Sequence, residues 1–330
     1  MASQDPLARA GSAGQIGRPV RVVSIGFKAR TKSLEEIAKV VDSEGSQGTD
    51  LIALPETWRG QNDQGSEETL SGPTVTAMAA LAKKHRTYIV CPIDRRDGER
   101  RFNSAVLLDR GGQVVSVYNK VFPWFPEFRV TPPVEPGQEV AVYQTDFGKV
   151  GLAICFDIEF SEVWQRLGDQ GAELVIWPSA YSGGTALKAH ALIYHYYIVT
   201  ATQTPDCTVY DITGEELLYQ KSAEVNVSRI TLDLDRGVYH RGAIDGLKEN
   251  LARKEKLLKE HGDDVEQEKF WEREFWFVLR AKRPGVSARE LARSYGLEEQ
   301  ADMVRRSRLL IDKRRGWAFS EKVLRKSQAS

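Results

Sequence analysis

Three ionisable residues follow apolar segments of the chain, and their types together could perform covalent catalysis. Cys155 and Glu56 each end a short apolar run, and Lys120 follows the alternating segment 114–118. A free thiol is mostly protonated at neutral pH because its pKa is about 8.5. A carboxylate could accept that proton, and an ammonium could stabilise first the thiolate and later an oxyanion. The three residues therefore provide a candidate nucleophile, base and electrostatic clamp.

Each of these residues also has a structural interpretation. Cys155 could be an inert packing thiol, since free cysteine is among the most buried residue types. Glu56 and Lys120 could be solvated surface charges. No histidine lies in these segments, so a Cys/His pair is not offered. Cys91 and Cys207 are predicted to pack in the core. His190 and His195 lie five apart on one predicted helix, a poor spacing for metal ligands, and are assigned to packing or the surface.

Strands and helices that alternate along the chain must position these side chains. Such an order predicts a two-layer α/β fold with a mixed sheet, in which side chains at several strand ends meet in one crevice. Apolar alternation and turn residues predict strands at 21–27, 50–56, 87–92, 102–108, 114–118, 140–145, 149–155, 174–178, 207–211, 217–219 and 225–232, and one through Val199. Helices are predicted from the capping pair Ser33 and Glu36, at 71–84, at 161–168, and up to about His195.

The segment 123–136 contains five prolines together with Trp124, Phe125 and Glu127. Such a stretch is not expected to form regular structure. Long aromatic loops in compact domains are usually functional. Trp124 and Phe125 of this loop, and Tyr181 after the strand 174–178, are candidate walls of a binding pocket; the alternative is that these aromatic residues pack under their loops.

The motifs Leu54-Pro55-Glu56, Tyr118-Asn119-Lys120 and Gly151-x-x-Ile154-Cys155-x-Asp157 resemble the three signatures of the nitrilase superfamily of carbon–nitrogen hydrolases. The resemblance covers about residues 20–235. It implies an α-β-β-α sandwich that hydrolyses a non-peptide C–N bond through a covalent thioester. In this chain, it makes Glu56 the general base, Lys120 an oxyanion ligand and Cys155 the nucleophile.

The same resemblance extends to residues around the three signatures. It makes the amide of Phe156 the second oxyanion donor and matches Glu127 to the second glutamate near the site. Asp157 is better explained as a structural acceptor at a turn. The family's usual arginine and proline after the cysteine motif are replaced by Glu159 and Ser161. These departures leave the triad in place, but they prevent the transfer of a substrate from any branch of the family.

Composition restricts the class of protein. The 330 residues include 46 basic and 46 acidic side chains, so the formal net charge is zero. A neutral chain argues against a whole-protein electrostatic role with nucleic acid or anionic membranes. The three cysteines have no disulfide-framework spacing, which favours a reduced, cytoplasmic location. No apolar run is long enough for a membrane helix, and residues 1–19 lack the apolar core of a signal peptide.

Domain organisation is predicted as a flexible N-terminus at 1–19, a hydrolase domain at 20–240 and a helical C-terminal extension at 241–330 without a strand. Trp271, Phe275 and Leu279 form an i, i+4, i+8 stripe that would be buried on a helix. The segment after Ser287 faintly resembles the first half of a helix-turn-helix, and a basic cluster follows it. Because the chain is neutral overall, a helical arm that packs on its own or a partner subunit is favoured over DNA binding.

The sequence therefore predicts a cytoplasmic thiol amidohydrolase that acts on a small linear amide or N-carbamoyl compound. No metal or other cofactor is expected, and the protein is predicted to form a homo-oligomer. Two alternatives stay open. The same triad could hydrolyse a nitrile, or the chain could be a non-catalytic binding or regulatory protein that uses its C-terminal extension.

Overall fold

The computed structural model describes residues 14–60, 66–242 and 247–316. Within these ranges the chain forms two compact units. One contains residues 21–145 and 149–230, and the other contains residues 14–20, 146–148 and 231–316. In the same ranges, no helix combines the length and apolar composition needed to cross a membrane.

The larger unit is built on two six-stranded sheets. Their strands, in chain order, are β1 (Pro19–Phe27), β2 (Leu51–Ala53), β3 (Tyr88–Asp97), β4 (Arg100–Leu108), β5 (Val114–Asn119), β6 (Val142–Gln144), β7 (Lys149–Leu152), β8 (Leu174–Ser179), β9 (Tyr197–Thr202), β10 (Asp206–Tyr210), β11 (Glu216–Lys221) and β12 (Val225–Asp233). The first sheet has the order β12-β1-β2-β3-β4-β5 and the second β11-β10-β9-β8-β7-β6. Both are mixed, as predicted: β1, β2 and β3 are parallel, β7, β8 and β9 are parallel, and β4, β6 and β10 pair antiparallel with β3, β7 and β9.

Four helices accompany the sheets: α1 (Leu34–Gly45), α2 (Pro73–His85), α3 (Ser161–Asp169) and α4 (Thr185–Tyr194). The predicted capping box of α1 is present, with Ser33 accepting from the Glu36 amide and Glu36 accepting from the Ser33 amide. Apolar residues of α1 and α2 form one buried cluster with the first sheet. Leu167 of α3 packs on the second sheet at Gly151. A Cβ atom added to Gly151 would lie 2.6 Å from the Leu167 side chain.

The two sheets pack face to face through their central strands. The Ser24 hydroxyl of β1 donates to the Thr200 carbonyl of β9 at 2.6 Å. At Gly26 of β1 the backbone lies so close to β10 that an added Cβ atom would be 2.8 Å from the Asp206 carbonyl oxygen. Helices outside and sheets inside give the predicted α-β-β-α sandwich, and this prediction is confirmed.

The prediction of a C-terminal extension that is helical throughout is wrong. The described part of the second unit contains β13 (Gly237–His240), α5 (Leu247–His261), β14 (Val265–Trp271), β15 (Trp276–Ala281), α6 (Ala288–Ser294) and α7 (Gln300–Arg315). Its strands form an antiparallel sheet in the order β13-β15-β14. The sheet and its helices share a small core of their own, which includes Tyr239, Leu257, Phe277, Leu279 and Ala292.

The predicted helical stripe lies instead on a hairpin. Trp271 pairs with Trp276 across β14 and β15, and Phe275 has φ 56° in the turn between them. Leu279 is fully buried, whereas Phe275 is 42 % exposed. The turn between the two strands is four residues long, which is also the spacing of residues on one face of a helix. The spacing of the aromatic residues therefore predicted a helix where the chain forms a hairpin. Ser287 does cap α6, since its side chain accepts from the Glu290 amide.

Candidate active site

Cys155 lies just beyond β7, on a turn that the surrounding side chains hold in an unusual conformation. Its φ is 42°, in the left-handed region that residues other than glycine rarely adopt. A short 3-10 helix, Cys155–Glu159, follows. The Trp177 indole donates to the Cys155 carbonyl at 3.2 Å. Such strain is often found at functional sites, where the surrounding structure maintains it.

Asp157 fastens this turn to the end of β5. Its carboxylate accepts from the Tyr118 hydroxyl at 2.7 Å and from the amides of Phe122 and Ile154, each at 2.9 Å. The side chain is fully buried, and burial raises its pKa to about 6. All three contacts are with fixed protein groups, in agreement with the structural role predicted for Asp157.

Lys120 lies between two carboxylates. Its Nζ donates to Glu56 Oε1 at 2.9 Å and to Glu127 Oε2 at 2.7 Å. All three side chains are almost completely buried, with exposed fractions of 1 % for Lys120 and Glu56 and 3 % for Glu127. Burial alone would lower the pKa of Lys120, but the negative charges of Glu56 and Glu127 outweigh it and raise the pKa. The lysine is therefore a permanent cation at neutral pH.

The backbone around Glu127 differs from the irregular loop that was predicted. Residues Phe125–Arg129 form a single 3-10 turn within the proline-rich segment. The Trp124 amide donates to Glu127 Oε2 at 2.6 Å, and the Val134 amide donates to the Glu127 carbonyl at 3.0 Å. These contacts fix the carboxylate that Lys120 approaches.

Two further residues of the site were not found from the sequence. The side-chain amide of Asn103, in β4, donates to Glu56 Oε1 at 2.7 Å and to Glu127 Oε1 at 2.8 Å. Gln203 donates to the Glu56 main-chain carbonyl at 2.6 Å. The polar Asn103 within an apolar strand was a usable signal, because a buried amide needs partners. Gln203 follows β9 without any pattern that marks it.

The second carboxylate oxygen of Glu56 has a distinctive position. Oε2 is buried and makes no hydrogen bond within the described residues. A buried carboxylate oxygen without a donor costs free energy. Since Oε1 is occupied by Lys120 and Asn103, Oε2 is the atom through which Glu56 can accept a proton.

The Cys155 thiol is 8 % exposed, and its pKa is raised to about 12. Burial is the main cause and the negative charge of Glu56 adds to it, while Lys120 lowers the pKa. Hydrogen bonds from the Ala180 amide and the Ser179 hydroxyl to the sulfur also lower it. The resting residue is therefore a neutral thiol, which needs a base in order to attack.

These side chains open onto one cavity of about 450 Å³. Its lining residues are Glu56, Lys120, Trp124, Glu127, Cys155, Phe156, Glu159, Ala180 and Tyr181. The structure thus brings together the four predicted catalytic residues with Trp124, Phe156 and Tyr181. Phe125, also predicted as a pocket wall, is not among the lining residues and is 61 % exposed. The functional roles of these residues stay predictions. Glu159, one of the departures from the family pattern at positions expected to shape the pocket, also lines this wall.

The other cysteines and histidines lie apart from the cavity lining. Cys91 and Cys207 are fully buried, and burial raises the pKa of both thiols. His190 stacks on the Trp164 ring with 4.4 Å between centroids. His195 Nδ1 is 2.9 Å from the Ile212 carbonyl. Each has the packing environment that was predicted.

Two curated proteins show similarity over part of the chain. Hydrolase C26A3.11 of Schizosaccharomyces pombe is 27 % identical over 173 residues, which cover 48 % of this chain and 53 % of that protein. The chain thus spans about half the length of this relative. A deaminated glutathione amidase of Synechocystis is 28 % identical over 198 residues, 53 % of this chain and 72 % of that protein.

A solved structure shows the same fold. It is a variant of the amidase from Nesterenkonia sp. AN1 in which the acetamide moiety of fluoroacetamide is covalently added at the active-site cysteine. The TM-score is 0.57 at 19 % identity, and the match covers 74 % of this chain and 98 % of that one. The family model for carbon–nitrogen hydrolases matches residues 20–236. The chain therefore belongs to the carbon–nitrogen hydrolase family, within the nitrilase superfamily.

Proposed function

We propose that the protein hydrolyses the C–N bond of a small linear amide or N-carbamoyl compound through a thioester on Cys155. The main support is the free Oε2 of Glu56, a buried carboxylate oxygen without a hydrogen-bond donor, in a cavity that also contains the thiol and the Lys120 ammonium. The cavity therefore holds a neutral thiol, a base and a cation. These are the groups that nucleophilic attack on a carbonyl carbon requires.

The first half of the reaction acylates the enzyme. Glu56 accepts the proton of Cys155 as the sulfur attacks the amide carbon. Negative charge develops on the carbonyl oxygen, where the Lys120 ammonium and the Phe156 amide stabilise it. The intermediate then expels ammonia or an amine, which takes the proton from Glu56. The acyl group is left on the sulfur as a thioester.

The second half returns the free enzyme. A water molecule gives a proton to Glu56 and attacks the thioester carbon, and the same two donors stabilise the second oxyanion. Collapse releases the carboxylic acid, and the thiolate recovers its proton from Glu56. Glu127 acts through Lys120, because its carboxylate is 2.7 Å from Nζ and keeps the ammonium charged and in place.

An ammonia-release screen tests this function. The purified protein is assayed against primary amides, N-carbamoyl amino acids and nitriles, with the Cys155→Ala protein as the blank. We expect ammonia from amides or carbamoyl compounds in the wild type alone. Release of ammonia from nitriles alone would indicate that the protein hydrolyses nitriles instead. Equal rates in the wild type and the blank would contradict the proposal.

The cytoplasmic location and the homo-oligomer expected from the sequence are also proposals. The apolar side chains of α7 support an assembled state, because Val304, Leu309, Leu310 and Ile311 are each more than a third exposed. Several exposed apolar side chains on one helix favour an interaction with another surface.

A further inference from the structure

The described wall of the cavity has more negative than positive side chains. Glu56, Glu127 and Glu159 line it, and Lys120 is the cation among the described lining residues. Because Cys155 is a neutral thiol at rest, the wall has two more negative charges than positive ones. We propose that Glu159 selects substrates whose amide or carbamoyl group is joined to a cationic group, such as a primary ammonium. This inference rests on the proposed function and names its substrate class.

Glu159 differs from the two other glutamates in its bonding, although its charge does act on the ring of His190. Glu56 and Glu127 are both bound to Lys120 and Asn103. Among the described residues, by contrast, none forms a hydrogen bond or an ion pair with the Glu159 side chain. The residue is exposed at the cavity wall, so a ligand in the cavity can reach its carboxylate.

The charge of Glu159 acts within the cavity. Burial raises the pKa of Tyr181 to about 12, and the negative charges of Glu159 and Glu56 add to the effect, while the positive charge of Lys120 opposes it. A sphere of about 450 Å³ is about 10 Å across, close to the distance of about 8 Å over which physiological salt screens a charge. A cation in the cavity is therefore within reach of Glu159, and an anion there is repelled.

Aromatic side chains complete a surface that suits a cation. Trp124 and Tyr181 both line the cavity, and they are 51 % and 39 % exposed. The faces of aromatic rings attract ammonium groups, and a neighbouring carboxylate adds a direct ion pair. The reacting end of the substrate would lie at Cys155 and Lys120, with its charged end near Glu159, Trp124 and Tyr181.

Matched substrates test the selection. One series consists of ω-amino amides with three to five methylenes. The second has a methyl group in place of the ammonium, and the third has a carboxylate. We expect kcat/KM to be highest for the amino amides and lowest for the carboxy amides at neutral pH. The advantage of the amino amides should shrink as salt is added.

The Glu159→Gln protein tests the residue, because the substitution removes the charge and keeps the shape. We expect the ratio of kcat/KM between amino and alkyl amides to fall about two- to fivefold, mainly through KM, which corresponds to the loss of one exposed ion pair. Glu162→Gln is the matched control, since Glu162 is an exposed glutamate three residues away on α3 and does not line the cavity. The Glu162→Gln protein should keep the wild-type ratio of kcat/KM between amino and alkyl amides. Thermal melts test whether both variants fold.

The outcomes separate the two claims. If alkyl or carboxy amides are hydrolysed at least as efficiently as amino amides, the selection is overturned and the hydrolase function stands. The same holds if Glu159→Gln keeps the wild-type ratio. If no series releases ammonia in the wild type, the proposed function fails, and the inference fails with it.

Discussion

Cys155 differs from the other two cysteines in its surroundings rather than in its burial. Cys91, Cys155 and Cys207 are all buried, and burial raises the pKa of each thiol. Only Cys155, among the three, has φ in the left-handed region and lines the cavity with Glu56 and Lys120. Burial or pKa alone would therefore not identify the nucleophile. The neighbouring base and cation do.

We predict that Cys155→Ala folds and loses turnover, because no other thiol lies beside Lys120 and Glu56 in the described cavity wall. Cys91→Ala and Cys207→Ala should keep turnover and lose only stability, by about 1 kcal/mol, as for other small core truncations. Steady-state assays and chemical denaturation of the three variants measure this. Activity in Cys155→Ala together with its loss in Cys91→Ala would show that the nucleophile is assigned wrongly.

Lys120→Arg separates a precise oxyanion ligand from a mere positive charge. The ammonium fits between Glu56 Oε1 and Glu127 Oε2, at 2.9 and 2.7 Å, whereas the larger planar guanidinium cannot occupy the same space. Loss of one such donor lowers kcat by a factor of about 100 to 1000. We expect this loss, with a smaller change in KM, in a variant that folds normally.

Steady-state kinetics together with a thermal melt of Lys120→Arg provide the measurement. A folded variant with wild-type kcat would mean that Lys120 is not the clamp.

At the residue scale, the sequence predicted side chains that belong to recognisable motifs and missed those that support them. Glu56, Lys120 and Cys155 end or follow apolar strands, so their meeting in one cavity was predictable. Asn103 binds both glutamates, but its partners lie 47 and 24 residues away. Long-range hydrogen bonds of this kind depend on strand register, which one sequence without a structure does not determine.

At the element scale, local signals were sufficient for the sandwich. Ser33 and Glu36 form the predicted capping box, and α2 begins at Pro73, as its sequence indicated. The hairpin of β14 and β15 was missed because β14, with the sequence VEQEKFW, is rich in charged residues. Such a strand lacks the apolar alternation that marks strands in the sandwich, and its aromatic residues have a spacing that also suits a helix.

The C-terminal extension is predicted to be an assembly element. Exposed apolar residues of α7, such as Leu310 at 55 % and Ile311 at 48 %, would be covered in an oligomer, and each fully buried side chain of this type contributes about 1.5–3 kcal/mol. Truncation after about residue 243 should therefore lower the oligomeric state or the solubility. Light scattering of both proteins measures the mass.

An unchanged mass and an unchanged melting temperature after truncation would contradict the assembly role. Binding of the full-length protein to duplex DNA, weakened by salt and lost on truncation, would instead favour the helix-turn-helix alternative.

At the scale of the whole molecule, His195 makes stability depend on pH. Burial lowers its pKa to about 4 from an unfolded value of 6.5, so the folded protein holds the neutral form. The stabilisation is complete above pH 6.5 and is lost as the pH falls towards 4, by about 3 kcal/mol in total. Denaturation of the wild type between pH 7 and 4 should show this loss.

The His195→Asn protein is the matched control for this dependence of the free energy of unfolding on pH, which is called the slope below. Asparagine can donate to the Ile212 carbonyl from the position of Nδ1, and it tolerates the left-handed φ of 54° at this residue. The variant should be less stable throughout but should lack the slope that is due to His195. Asp157, with its pKa raised to about 6, adds a slope of opposite sign to both proteins and cancels in the comparison. If the free energy of unfolding of the two proteins depends on pH in the same way, the pH dependence does not come from His195.

The central claim is that turnover passes through an acyl group on Cys155, and the partitioning of that group tests it most directly. A primary amide and a methyl ester with the same acyl group are hydrolysed in the presence of hydroxylamine, and the ratio of hydroxamate to carboxylic acid is measured. Because both substrates give the same thioester, we predict the same ratio at each hydroxylamine concentration. A ratio that depends on the leaving group would contradict the account.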